Sequence, residues 1–278
     1  MSMILEMLSY PFLVRALLGG VMVSLCAALL GVSLVLKRYS MIGDGLSHVS
    51  FGALSIALAA GWSPLQFSIP IVALAAFFLL RITENGKMKS DAAIAMISAS
   101  ALAAGIVVTS LTTGMTTDVS SYMFGSILAM SREDVMLSVG LSAVVLCLFV
   151  FCYHKIFAVT FDENFARATG VQVGFYNVLI AMLTAVTIVL GMRMMGAMLI
   201  SSLIIFPALT SMRIFKSFRG VVVSSALLSV VCFFVGIVVS YGLSTPAGAS
   251  VVLVNLAAFV ISSAAGQILD KKQKQKQI

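Results

Sequence analysis

Asp44 and His48 stand four residues apart within Ile42-Gly43-Asp44-Gly45-Leu46-Ser47-His48. Between Arg38 and Arg81 the chain has no other Asp, Glu, Lys, Arg or His. Residues at i and i+4 share one helix face, about 6 Å apart. A carboxylate oxygen and an imidazole nitrogen at that spacing can point at one spot. They make half a site for a divalent ion that accepts mixed oxygen and nitrogen ligands, such as Zn²⁺ or Mn²⁺. Two ligands fall short of the four that zinc takes and of the about six that manganese takes. Waters, backbone carbonyls or a second chain must complete the shell. The same spacing also suits an Asp and a His that satisfy one another near a helix end.

The surroundings of the pair raise its interest. The chain has 278 residues, of which 61% are hydrophobic and 10% charged, and its mean hydropathy is +1.13. A soluble domain carries roughly 25% charged residues. This composition is that of a polytopic membrane protein. An ionisable group inside a membrane span costs roughly 2.5–3.5 kcal/mol on insertion scales and usually faces a bundle interior or a water-filled path.

A helix crosses the bilayer core in about 20 apolar residues. On that rule the first span is Ala16–Leu36, ending at Lys37-Arg38, and the second is Ser40–Ala60, which carries Asp44 and His48. Gly61-Trp62-Ser63-Pro64 is a turn, with Trp62 suited to the interface. Spans follow at Leu65–Leu80, Ala92–Leu111, Val135–Tyr153, Val171–Met192 and Met194–Met212. Thr112–Ser121 reads as an aqueous loop, and Tyr122–Met130 as a re-entrant or surface segment too short to cross. From Gly220 to Leu269 no residue is charged. That run makes about 75 Å of helix, enough for two crossings, with a break at Gly242–Gly248. The expected fold is all-α: one transmembrane bundle over residues 1–278 with nine spans, or eight if one half of the tight hairpin near Arg193 only dips into the bilayer.

Charge sets the orientation. With the N-terminus outside, Arg15, Arg132 and Arg193 lie outside, and the other 14 of the 17 Lys and Arg residues face the cytoplasm. Met-Ser-Met-Ile-Leu-Glu lacks a basic leader region, so the first span is expected to be retained. The net charge of +7 lies in short connectors and in the basic tail at 270–278, which suits anionic lipid and gives no sign of nucleic acid.

Other motifs carry less. Cys26, Cys147, Cys152 and Cys232 match neither zinc nor disulfide spacing and read as packing residues. Met192, Met194, Met195 and Met198 admit a soft Cu⁺ reading, but thioethers beside a tight turn are ordinary packing material. His154 reads as interfacial. There is no G-x-x-x-x-G-K-[ST] loop to bind ATP and no H-E-x-x-H of a metalloprotease. One acid and one histidine within the spans make a thin proton relay for an ion-gradient-driven secondary transporter, which is the alternative reading.

Four stretches occur in order along the chain: Leu36-Lys37-Arg38-Tyr39-Ser40-Met41 running into the Asp44/His48 motif; Phe161-Asp162-Glu163-Asn164-Phe165-Ala166 with Gly170; Gly196-Ala197-Met198-Leu199 leading to Pro207-Ala208; and Pro246-Ala247-Gly248-Ala249. Together they resemble the membrane-spanning permease subunit of the bacterial zinc/manganese ABC importers, over nearly the whole length. The resemblance implies two permease chains in the bacterial cytoplasmic membrane lining one path, two cytoplasmic ATPase subunits and an extracytoplasmic metal-binding protein. It implies a chain that is not itself an enzyme, binds no permanent cofactor and passes Zn or Mn, with Fe also open. It carries a metal-ligand role onto Asp44 and His48. It also makes the cytoplasmic segment near 155–170 an ATPase-coupling element, with Phe161, Asp162, Glu163, Ala166 and Gly170 as its residues. Ser244-Thr245 stands where an acidic residue is common in the family, which weakens any ligand role at that outer loop.

Overall fold

A computed structural model describes residues 9–84, 90–112 and 132–275. The described residues are helical, without strands. The long helices are α1 (Pro11–Leu36), α2 (Ile42–Ala59), α3 (Pro64–Glu84), α4 (Ser90–Leu111), α5 (Arg132–Phe151), α8 (Val173–Met195), α9 (Ala197–Ile214), α10 (Phe218–Leu243) and α11 (Ala247–Gln275). Two short ones, α6 (Tyr153–Phe161) and α7 (Glu163–Ala168), join α5 to α8. Among the described residues, nine helices are long and apolar enough to cross a membrane. Length and composition support nine spans rather than eight: α8 and α9 both qualify, and Gly196 alone separates them. Its φ of 88° lies in the left-handed region, where a side chain is strained. The segment read as re-entrant, Tyr122–Met130, lies outside the described residues.

The helices are apolar nearly all round, since lipid supplies no hydrophobic drive to sort one face from another. They associate by close packing. α1 is the hub, largely buried, packed on α5, α8, α9 and α10, while α2 packs on α3, α4, α8 and α9. α3, α4, α5 and α11 form the rim and leave much of their surface exposed. Where helices meet, small residues let backbones touch. A Cβ at Gly31 would run into the backbone carbonyl of Ile204 on α9, and one at Gly52 would lie 2.6 Å from the carbonyl oxygen of Ala101 on α4. Buried hydroxyls add cross-links: Ser229 Oγ donates to the Ser24 carbonyl at 3.0 Å, joining α10 to α1.

Polar side chains elsewhere fasten ends. Arg193, closing α8, donates to Asp134 in the first turn of α5 at 3.0 Å, with both side chains mostly buried. Ser217 caps α10, accepting from the Gly220 N–H at 3.2 Å. The turn before α11 ties up hydroxyls of its own. Ser240 Oγ donates to the Thr245 carbonyl at 2.6 Å, and Thr245 and Ser250 share a hydrogen bond of 2.7 Å. The methionines read as packing behave so: Met192, Met194 and Met195 are buried, the last two against Gly19 and Gly20 of α1. Met198 is exposed. The four cysteines are free thiols.

The close approach of α1 and α9 gives a direct test. Gly31→Ala must push the helices apart or distort them, and is expected to lower stability by about 1–3 kcal/mol, as overpacking does. Gly140→Ala, where a Cβ meets nothing within 4 Å, is expected to leave it unchanged. Thermal midpoints of the two purified variants check the contrast.

Candidate functional site

The site is built from the turn that delivers α2. α1 ends at Lys37, and the chain reverses through Arg38 at φ 61°. The Tyr39 N–H bonds back to the Leu34 carbonyl at 2.8 Å and the Arg38 N–H to that of Val35 at 3.1 Å. This is the Schellman pairing, with arginine where glycine is usual. The left-handed backbone costs a non-glycine residue about 1–3 kcal/mol. α2 then starts at Ile42, two residues later than the span pattern placed it. Asp44 falls in its first turn, where the free N–H groups and the macrodipole favour an anion. From that start His48 lies about 9 Å along the helix, nearer the membrane edge than a start at Ser40 gives.

The Nε2 atom of His48 lies 3.7 Å from Oδ2 of Asp44. That is beyond a hydrogen bond. It is within the ~4.4 Å that separates, at most, two atoms each about 2.0–2.2 Å from one ion. The Asp44 side chain is 48% exposed and that of His48 25%. Both open on a cleft of about 490 Å³ between α2 and α4, whose walls also include Met41, Ser98 and Leu102. Asp91, in the first turn of α4, lines the same cleft. Sequence reasoning passed over it because an acid at the foot of a span is ordinary, and only the pairing of α2 with α4 brings it beside the motif. Among the described residues no three of His, Cys, Asp and Glu converge closely enough to hold a metal within this chain. Gly43 and Gly45 serve as contacts: a Cβ at Gly45 would lie 2.5 Å from the Ile94 side chain, and one at Gly43 3.0 Å from that of Ile204.

The second constellation is α6 and α7. Asp162 caps α7, its Oδ1 accepting from the N–H groups of Asn164 at 2.9 Å and Phe165 at 3.0 Å. Glu163 opens the helix, and Gly170, at φ 82°, closes it with Val171 N–H bonded to the Ala166 carbonyl at 2.9 Å. Ala166 is fully buried against Val159, Val171 and Val173, so it seats the helix and does not form its outer face. Phe161 and Phe165 are exposed aromatic side chains of this segment, 59% and 64% accessible. Phe157 and Phe161 stack around Phe218, with ring centres 5.0 and 5.7 Å away, and tie α6 to the start of α10. His154 is exposed.

Lys37 is a residue that sequence reasoning counted only as a charge. Its ammonium donates to Glu163 Oε1 at 2.6 Å and to Asn177 Oδ1 of α8 at 2.5 Å. Burial raises the Glu163 carboxyl, but the hydrogen bond and charge of Lys37, with the Asn177 amide, outweigh it and leave its pKa below the ordinary value of 4.5. The ion pair is therefore complete above that value, and its contribution is lost only as pH falls through the lower, folded-state pKa.

Comparison with known proteins decides the family. The model of the ABC 3 transport family matches residues 9–266. The chain belongs to that family. It is 29% identical to the manganese import system permease protein ScaB of Streptococcus gordonii, over 91% of this chain and 91% of that one. It is 28% identical to the high-affinity zinc uptake system membrane protein ZnuB of Haemophilus influenzae, over 91% and 97%. A probable iron transport system membrane protein of Haemophilus influenzae is 30% identical over 95% and 97%. Among solved structures, PsaBC from Streptococcus pneumoniae in complex with Fab superposes with a TM-score of 0.84 at 29% identity, covering 94% of both chains. The all-α bundle and the resemblance read from four sequence stretches thus agree with the family and with the fold.

The Asp162 cap yields a measurable consequence. Asp162→Ala removes a cap worth about 1 kcal/mol, so the amides of Asn164 and Phe165 are expected to exchange hydrogen roughly fivefold faster. Hydrogen exchange followed at those two residues checks it.

Proposed function

We propose that this chain is the membrane-spanning permease subunit of an ATP-driven importer of divalent transition metal, zinc or manganese, with iron as the third candidate. The observation that carries the reading is the Asp44/His48 pair, opening on the α2–α4 cleft of an ABC 3 family bundle. A half-site with a carboxylate and an imidazole suits a hydrated divalent cation. The carboxylate's charge offsets the desolvation that an ion meets on entering an apolar region. The ion is cargo, and the chain carries no resident cofactor and no ATPase of its own.

The partners follow from the same reading. A second copy facing the α2–α4 cleft completes the path and adds ligands. A cytoplasmic ABC ATPase docks on the α6–α7 segment, where Phe161 and Phe165 present apolar surface. Glu163, Asp162, Ala166 and Gly170 cap, seat and end the helix beneath them. An extracytoplasmic metal-binding protein delivers the ion. The secondary-transporter alternative lacks support: His48 and Asp44 are the only ionisable pair on their helix, and among the described residues no chain of such groups continues from them across the bundle.

Uptake of Zn²⁺ and Mn²⁺ into vesicles holding all subunits tests the site. Asp44→Asn keeps the shape and removes the charge, whereas His48→Ala removes the nitrogen. Each is expected to cut uptake about tenfold or more with the protein still in the membrane. Wild-type uptake by both variants makes the pair structural and moves the path elsewhere. Orientation has its own check. The charge bias places positions 155 and 216 in the cytoplasm and position 245 outside, so cysteines introduced there must label from opposite faces. Labelling of all three from one face overturns the topology.

A further inference from the structure

Lys37 sits at the junction of three elements. It closes α1, seven residues ahead of Asp44. Its side chain is 7% exposed. It is held by Glu163 Oε1 on α7 at 2.6 Å and by Asn177 Oδ1 on α8 at 2.5 Å. The Asn177 side-chain amide in turn donates to the same Glu163 oxygen at 3.2 Å. The three groups form a closed triangle around one buried ammonium. Removing a partner from such a charge is strongly unfavourable, because the ammonium cannot recover its water.

That triangle constrains how the molecule responds when α7 moves. A shift of α7 either pulls the Glu163 carboxylate off a buried ammonium or carries Lys37 with it. The second course keeps the charge paired. Lys37 is joined to α2 through Arg38, which is already in the left-handed region at φ 61°, and through Tyr39, bonded to α1 by the Leu34 carbonyl. The Tyr39 carbonyl also accepts from the Ile42 N–H at 3.0 Å, so the turn is hydrogen-bonded to α1 on one side and to α2 on the other. Motion of Lys37 thus reaches the first turn of α2, and with it Asp44.

We propose that Lys37, through Glu163 and Asn177, is the positioning residue that transmits motion of α7 to the ion-holding turn of α2. It touches neither the ATPase nor the ion. The proposal deepens the functional reading above and rests on it, in that α7 is taken as the ATPase-docking helix and Asp44 as an ion ligand.

The test uses the whole importer in vesicles: this chain with the ATPase that co-purifies with it and the metal-binding protein, and Zn²⁺ or Mn²⁺ as the probe. ATP hydrolysis and ion uptake are measured together. Lys37→Met keeps the stem and removes the charge. It is expected to retain ATPase association and to hydrolyse ATP within about twofold of wild type, while ions moved per ATP fall about tenfold. The exchange Lys37→Glu with Glu163→Lys is expected to recover roughly a third of that ratio or more, since a coupled pair restores what either single change removes. Glu163→Gln removes the charge but keeps the shape and an oxygen that accepts from the Lys37 ammonium, and it carries the test if Lys37→Met fails to accumulate. An unchanged ratio of ions to ATP in these variants overturns the proposal and leaves the triangle a static brace. A parallel loss of both activities does the same.

A separate arm keeps the two readings apart. Phe165→Asp is expected to release the ATPase while Lys37→Met holds it. Release by Phe165→Asp with a wild-type ratio in Lys37→Met sinks the link and spares the docking surface. Retention by Phe165→Asp sinks the docking reading itself, and the link with it.

Discussion

The constraint on which this structure turns is the cost of a charge where water is scarce. An ion or a carboxylate in the apolar slab is tolerated only if something replaces its hydration. Asp44 meets that condition in three ways. It stands in the first turn of α2, where unpaired N–H groups favour an anion. It faces a cleft and keeps about half its side chain accessible. It also has His48 one turn above, near enough to share an ion and too far to be satisfied by a hydrogen bond. A pair locked together in a dry interior fits a structural role. A pair held apart on an open wall fits a transient ligand.

The rest of the bundle is the means of holding that turn at the cleft. α2 is pressed between α3, α4, α8 and α9 by contacts so close that a methyl group at Gly52 would meet the backbone of α4. Such packing leaves α2 little freedom sideways. Its lower end is different, because the link to α1 is a tight turn with one strained residue, and the charge beside that residue belongs to a triangle reaching α7. The bundle is closely packed across its middle, and at its foot α1 and α2 are joined by one tight turn. On the functional reading proposed above, force applied at α7 would have to move the Asp44 turn without loosening the core.

Much of this was legible in the sequence because the bilayer is a demanding solvent. Spans declare themselves through length and absence of charge, and the helices depart from the expected ones by only a few residues at each end. The Asp44/His48 spacing was legible for the same reason, since nothing else between Arg38 and Arg81 competes with it. Less legible were features that depend on which helix meets which. Asp91 is an ordinary helix-starting acid until α4 lies against α2. Lys37 reads as a membrane-flanking cation until α7 folds beneath it and removes it from solvent. Ala166 reads as part of a contact surface, yet small side chains in a connector are as readily anchors as faces. Only the packing on Val159 and Val171 settles that it lies inward.

The two-ligand character of the proposed site bears on why one family serves several metals. A single copy offers one oxygen and one nitrogen donor. In the proposed two-copy path, facing copies would offer two of each, enough for the four-coordinate shell that zinc prefers and short of the six that manganese takes, which water can supply. Neither ion is then excluded by donor type, and the stability order favours zinc without forbidding manganese. Discrimination in such a system must come from elsewhere, in what the delivering protein releases and how far water reaches into the cleft. Weak binding in the path is also what passage requires. A shell complete within one chain would hold the ion too firmly to let it leave, whereas a shell assembled from two chains comes apart when those chains move relative to each other.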